Sequence, residues 1–280
     1  MADRPLPDLP DLPDLPDLPD LPPLPSLGDL PPLPTLDGPP LRRPPTGGAR
    51  REWQRARVVQ VRVETSHART FRLALPVWNA HVPGQHYVVR LTAPDGYRAE
   101  RSYSVASPPE DAGHIELTVE RLADGEVSGY LHDGVRVGDE LEVRGPFGGW
   151  FVWDGRTPAL LVGGGSGVVP LMAMVRHRRA LGLDVPLHLV VSARTREDLL
   201  YADEYGEEST VVLTRAVPPG WARPPGRLAA ADLAPHVARV GEGATVYVCG
   251  STGFAGAAER VLAEVGVPAG SIRVERFGPA

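Results

Sequence analysis

The hydrophobic period of this chain changes once, near Trp153, and that change restricts the folds open to it. Before it, apolar and polar residues alternate in short runs at 57–64, 70–75, 86–91, 100–106, 114–121 and 140–144. Alternation puts successive side chains on opposite faces of a half-buried strand. Pro83-Gly84, Asp95-Gly96, Pro108-Pro109 and Gly138-Asp139 punctuate the runs, which predicts six short strands in a small antiparallel barrel, interrupted by one helix over 127–133. After Trp153, runs at 159–162, 187–192, 211–214, 245–249 and 272–276 read as buried strands separated by helical stretches. That order predicts a doubly wound parallel sheet. In the helix after the first of these strands, Val168, Leu171, Met172 and Val175 share a face and Gly182 is placed to end it. Arg176, Arg178 and Arg179 in its last turns are expected to be solvated and to offset the helix dipole, a partner-docking patch being the alternative.

A segment of different character comes first. Residues 7–22 repeat the triplet Asp-Leu-Pro, and 16 of the 32 prolines lie in the first 50 of 280 residues. Proline lacks the amide donor and disfavours helix in the residue before it, so a disordered arm over 1–50 is expected, followed by a barrel over 51–155 and an α/β domain over 156–280. Leucine at every third position would line one edge of a polyproline II helix, so a docking motif and a plain spacer both remain open. With eight Asp and four Arg, the arm carries −4 of the net charge of −6. The near-neutral remainder lacks the cationic excess of a nucleic-acid binder.

All 29 basic residues are arginine. Without lysine there is no Walker A loop and no Schiff base to pyridoxal phosphate. Cys249 is the single cysteine, so these residues hold neither an iron-sulfur cluster nor a disulfide framework. His81 and His86 flank a Pro-Gly turn with no third ligand evident, and no metal site is expected. The chain opens without a basic region followed by an apolar one, and no run approaches the ~18 apolar residues of a membrane span. A cytoplasmic protein is expected.

Four glycine-rich or arginine-bearing stretches carry the chemistry. Gly163-Gly164-Gly165-Ser166-Gly167-Val168-Val169-Pro170 follows a strand and opens a helix. Glycines let a backbone approach a pyrophosphate, Ser166 is placed to cap the helix, and the helix end offers amides to an anion. A tight packing turn is the alternative, since Pro170 stands where a strict dinucleotide fingerprint has its third glycine. A nucleophile elbow would need glycine at Val168. In Arg101-Ser102-Tyr103-Ser104, alternation puts Arg101 and Tyr103 on one face, where an arginine can pair with phosphate and a tyrosine can cover an aromatic ring. Gly125-Glu126-Val127-Ser128 opens the barrel helix, and Gly145-Pro146-Phe147-Gly148 ends the barrel.

Taken in order, these stretches resemble the ferredoxin NADP reductase family over about Trp53 to Gly278. The quartet 101–104 matches the family's R-x-Y-S flavin motif, 145–148 its G-P-x-G junction, 163–170 its G-G-G-x-G-x-x-P turn, and Val246-Tyr247-Val248-Cys249-Gly250 its C-G motif near the nicotinamide. The resemblance implies bound FAD rather than FMN, with NADPH or NADH as electron donor. It implies that Tyr103 packs on the flavin, Arg101 binds its phosphate beside Ser102, and Ser104 lies near the ring. Thr118 and Val119 would border the flavin, and Val127 and Ser128 would bind its diphosphate. Gly164, Gly165, Ser166 and Gly167 would form the coenzyme turn. Cys249 and Gly250 would lie near the hydride path, and Glu275 and Phe277 would close the flavin face. Tyr103, Ser104, Cys249 and Glu275 are the catalytic candidates.

Coenzyme selectivity has a physical basis, since a 2′-phosphate wants cations and hydroxyls whereas a free ribose is usually met by a carboxylate. Ser192-Ala193-Arg194-Thr195 at the second strand end contains no carboxylate. Thr214-Arg215 ends the third strand where NADP-selective members of the family it resembles often carry Ser or Thr followed by Arg. With Arg227 these are the expected 2′-phosphate contacts, a pair of solvent-facing arginines being the alternative. Arg194 is expected near the diphosphate or adenosine. The leading expectation is a reductase passing electrons from NADPH through FAD to a separate acceptor, such as a ferredoxin serving a haem monooxygenase. Reduction of free flavin, quinone or ferric chelates is the alternative, as is a non-catalytic nucleotide-sensing subunit.

Overall fold

A computed structural model describes residues 52–278, and the predicted arm lies outside the described residues. Six antiparallel strands come first: β1 (Gln54–Thr65), β2 (Ala68–Ala74), β3 (His86–Thr92), β4 (Arg98–Ser104), β5 (His114–Glu120) and β6 (Glu140–Phe147). They pair in the order β4-β3-β6-β1-β2-β5. Its two end strands meet through a bridge between Val105 and Leu117 and through the Ala106 amide, which donates to the Glu116 carbonyl at 2.8 Å. The sheet therefore curls on itself as a barrel, removing the open edges that would otherwise invite pairing. Tyr87, Phe71, Leu73 and Ile115 fill its interior. Helix α1 (Glu126–Asp133) closes one end, turning Val127 and Leu131, four residues apart, onto that core.

The second sheet is parallel, with β7 (Ala159–Gly164), β8 (Leu187–Ala193), β9 (Ser209–Leu213), β10 (Thr245–Ser251) and β11 (Ile272–Phe277) ordered β11-β10-β7-β8-β9. Strand order reverses between β7 and β10, and the crevice at such a switch point is where ligands of doubly wound sheets bind. Helices α2 (Val168–Leu181), α3 (Ala230–Val240) and α4 (Thr252–Glu264) cover it. Gly182 ends α2 in the left-handed conformation (φ 60°), its amide reaching the Arg178 and Arg179 carbonyls.

Two sequence expectations fail here. The link from β8 to β9 contains no α-helix, only the short 3₁₀ turns Arg196–Asp198 and Ala202–Glu204. The second failure concerns Arg176, expected in solvent. Its side chain is largely buried between the two halves, with Nε and Nη2 on Glu204 (2.9 and 2.5 Å) and Nη1 on the Ala106 carbonyl (2.9 Å) and Glu116 (3.2 Å). Burial works against its charge, but these acceptors outweigh burial and hold it protonated. Arg178 and Arg179 do lie at the end of α2, yet both are engaged, Arg178 with the Val185 carbonyl and Arg179 with Glu204 and Glu208.

Candidate functional site

On the barrel, β4 holds Arg101 and Tyr103 on one face, opposite Val89 and Tyr87 of β3. Tyr103 packs against the barrel core, and burial pushes its phenol up to about 12, the Arg101 charge working the other way. Arg101 is exposed, donating from Nη1 to the Glu100 carbonyl at 2.7 Å, and among the described residues no carboxylate pairs with it. Ser102 is exposed and Ser104 buried opposite His86. At the start of α1 the extended Gly125 supplies no side-chain cap, which leaves the first amides of the helix, from Glu126 on, without a side-chain acceptor. A Cβ at Gly125 would stand 2.2 Å from Ser128 Oγ, so glycine lets that hydroxyl fold back to donate to the Gly125 carbonyl and accept from the Leu122 amide, both at 3.2 Å. The Val127 side chain is in the core, so only its amide can face a ligand.

Thr118 and Val119 are placed differently from the others. Thr118 is buried, its hydroxyl bonded to Thr70 (2.7 Å) and to Tyr201 of the second half (2.5 Å). The Val119 side chain is in the barrel core and its carbonyl accepts from His132 Nε2 at 2.9 Å.

In the second half, parallel register puts Gly163 beside Cys249 and Cys249 beside Glu275, a row across β7, β10 and β11. The glycine turn fits tightly against it. A Cβ on Gly167 would come within 2.1 Å of the Cys249 carbonyl, and one on Gly164 within 2.6 Å of the Phe254 ring. Gly165 has φ 56° with open space beyond it, a left-handed position that favours glycine. Cys249 is fully buried, and burial together with the Glu275 carboxyl raises its thiol well above the ordinary value. Burial alone lifts Glu275 to about 7, and its buried Oε2 has no hydrogen-bond partner among the described residues. An orphaned carboxyl oxygen at a strand end is what a polar ligand would satisfy. Phe277 lies opposite Ser251 and packs on the core between the halves.

Ser166 does not cap α2. A 3₁₀ turn, Gly165–Gly167, runs directly into the helix, moving the cap position to Gly167, which is already helical (φ −63°) and makes no side-chain cap bond. The cap at this edge is Ser251, missed in the sequence, whose Oγ accepts from the Phe254 amide at 3.3 Å to start α4. A serine ahead of a helical run was the available signal.

The ends of β8 and β9 converge. The Arg215 amide donates to the Arg194 carbonyl (2.9 Å) and the Gly226 amide to the Leu213 carbonyl (3.1 Å), which folds the loop back and brings the backbones at Thr214, Arg215 and Arg227 together. Both guanidinium groups are exposed and, among the described residues, without acid partners. Arg223, also missed, braces this loop through Asp232 at 2.6 and 2.8 Å. A carboxylate does lie near the second strand end, contrary to the sequence reading. Asp198, brought back by a 3₁₀ turn, pairs with Arg194 at 3.0 Å and accepts from Thr195 at 3.2 Å.

Both cradles fit a nucleotide by their own chemistry: uncapped helix amides and an arginine without an acid partner among the described residues on the barrel, and a glycine turn with an orphaned carboxyl two strands away on the parallel sheet. The family model described as Oxidoreductase FAD-binding domain matches residues 55–152, and that described as Oxidoreductase NAD-binding domain matches residues 161–260. The chain belongs to the ferredoxin NADP reductase family of FAD- and nicotinamide-nucleotide-binding oxidoreductases. It is 30% identical to the reductase component of propane 2-monooxygenase of Rhodococcus jostii, over 82% of this chain and 65% of that one. It is 35% identical to the glycine betaine monooxygenase reductase subunit of Chromohalobacter salexigens, over 79% and 63%. The chain thus spans somewhat under two thirds of the length of these curated relatives. A crystal structure of the Amycolatopsis cytochrome P450 reductase GcoB superposes with a TM-score of 0.67 at 26% identity, covering 81% of this chain and 70% of that chain.

Proposed function

We propose that this chain is the reductase of an oxygenase system, taking electrons from NADPH and delivering them to a separate acceptor protein. The observation that carries the reading is the row Gly163, Cys249 and Glu275, which sets a glycine turn, a buried thiol and an orphaned carboxyl at the switch point of the parallel sheet. Relatives named as reductase components of propane 2-monooxygenase and glycine betaine monooxygenase support the choice of an oxygenase partner. The 280 residues contain one cysteine, so an iron-sulfur acceptor lies outside them.

Bound FAD supplies the conversion of a two-electron hydride donor into single-electron steps. The protein's own groups do the rest. Arg101 and the first amides of α1 would hold the diphosphate of FAD, and Tyr103 and Ser104 would contact its ring. The turn 164–167 receives the coenzyme diphosphate, Thr214, Arg215 and Arg227 meet the 2′-phosphate, and Arg194 faces the adenosine side while paired with Asp198. Buried Cys249 excludes water from the reacting edge and stays a thiol, because burial opposes its ionisation. Glu275, at about 7, can hold or release a proton near neutrality.

Turnover with NADPH should be compared using a ferredoxin, the oxygenase component itself, and small acceptors such as ferricyanide, free flavin or quinone. The reading expects protein acceptors to be reduced at low micromolar concentration. Turnover confined to free flavin, quinone or ferric chelates would replace it with the small-acceptor reading, and coenzyme binding without reduction would leave a nucleotide-sensing subunit.

A further inference from the structure

A line of contacts between the two halves belongs to neither cradle. Tyr201, in the β8–β9 link, is buried in the left-handed conformation (φ 57°, ψ 34°), the one described non-glycine residue with positive φ. A bulky side chain takes that conformation only where its surroundings hold it there. Its hydroxyl begins a chain whose direction follows from each hydroxyl having one proton to donate. The Glu64 carboxylate accepts from Thr70 at 2.7 Å, so Thr118 donates to Thr70 at 2.7 Å and Tyr201 to Thr118 at 2.5 Å. Arg62 Nε closes the far end on Glu64 at 2.7 Å. The chain crosses β5, β2 and β1 of the barrel before ending.

The ring of Tyr201 is held as well. Arg176 stands 4.7 Å from its centroid and reaches both the Ala106 carbonyl and Glu116 of the barrel. Arg176 is on α2, the helix that starts at the glycine turn, and Ala106 lies two residues beyond Ser104 of the flavin motif. Strand β5 also lies against the glycine turn. Tyr201 and Arg176 therefore connect the backbone carrying one cradle to the backbone carrying the other.

We propose that Tyr201 is a positioning residue for hydride transfer: its bond to Thr118, with its ring under Arg176, sets the coenzyme half at the distance from the flavin half that the reaction requires. This rests on the reductase reading above. Bimolecular geometry is sensitive to small displacements, so loss of the bond acts on rate rather than on affinity.

The test uses Tyr201→Phe, which removes one oxygen and keeps the ring, together with Thr118→Val, Thr118→Ser and the double variant Tyr201→Phe/Thr118→Val. Anaerobic stopped-flow reduction of the bound flavin by NADPH gives rate and coenzyme affinity separately, and hydrogen exchange of the same proteins reads the joint without turnover. The expected result is a rate lower by about tenfold in Tyr201→Phe and Thr118→Val, no further loss in the double variant, and retention of the rate in Thr118→Ser. Flavin content and coenzyme KM stay within twofold of wild type, and exchange quickens at 115–119 and 199–205 but not in β10 or β11. Unchanged rates, losses that multiply in the double variant, or equal losses in KM overturn the proposal. Wild-type protein whose flavin is not reduced by either coenzyme would instead overturn the reductase reading itself, a result distinct from all of these.

Discussion

The arginines of the joint and those of the cradles are the same residue type in opposite situations. At the joint, Arg62, Arg72 and Arg176 all approach Glu116, at 3.5, 3.5 and 3.2 Å, and each also holds a second carboxylate. At the cradles, Arg101, Arg215 and Arg227 are exposed and have no acid partner among the described residues. The joint arginines are satisfied inside the protein, Arg62 and Arg72 within the barrel and Arg176 across to it from α2, so of the three only Arg176 holds the halves together. Those at the cradles keep their donors for something else. Lack of a partner is not diagnostic alone, since Arg156 and Arg260 are also exposed and without an acid partner among the described residues. What distinguishes Arg101, Arg215 and Arg227 is their place on the barrel with its uncapped helix amides or at a converging pair of strand ends.

The largest effect that could break this contrast belongs to the joint. Arg176→Ala leaves buried Glu116 to Arg62 and Arg72, strips half-exposed Glu204 of its guanidinium and frees the Ala106 carbonyl, and is expected to cost about 2 kcal/mol, about 6 °C in Tm. A melting temperature no lower than that of Arg215→Ala would place Arg176 among the solvated arginines after all. Next comes Arg101→Ala, where loss of a charged contact to phosphate should weaken FAD binding about 10- to 100-fold. Equilibrium dialysis of the stripped protein measures it, and unchanged affinity would remove Arg101 from the flavin cradle. Arg215→Ala/Arg227→Ala should raise the KM for NADPH about tenfold and leave NADH alone, whereas equal losses would mean that neither residue reads the 2′-phosphate.

A smaller effect lies away from both regions. His188 and His236 stack at 3.6 Å and share Thr210, with burial first, then His236 and Arg239, lowering His188 to about 4. The unfolded chain takes up this proton near pH 6.5 and the folded one resists until about 4, so stability is retained above 6.5 and falls on acidification between those values. Urea unfolding at pH 7.5 and 5.5 should differ by about 1.4 kcal/mol through this group, and His188→Gln should reduce the difference. The smallest expected change is that of Ser166→Ala, within ~0.5 kcal/mol, because its hydroxyl caps nothing. A loss near 1 kcal/mol would restore the capping role.

The contrast also explains what could be read from the sequence. Both sheets, the glycine turn and the quartet at Arg101 depend on local period or on adjacent residues, and those are visible along the chain. The row joining Gly163, Cys249 and Glu275 needs only parallel register of strands already identified. Arg176 was misread because its partners stand 28, 60 and 70 residues away, so its helical position said nothing about them. Tyr201 was invisible for the same reason, compounded by a helix expected where short 3₁₀ turns occur. Asp198 escaped notice because such a turn, not a strand, brings it back to Arg194.

On the proposed reading, one chain holds FAD on its barrel and a nicotinamide nucleotide on its parallel sheet, close enough for hydride to pass. Anaerobic titration of the flavin-loaded protein with NADPH, followed by absorbance near 450 nm, tests it most directly. One equivalent should bleach the flavin, and an added one-electron protein acceptor should restore it. Protein that retains no flavin, or flavin that stays oxidised under excess NADPH and NADH, would contradict the account.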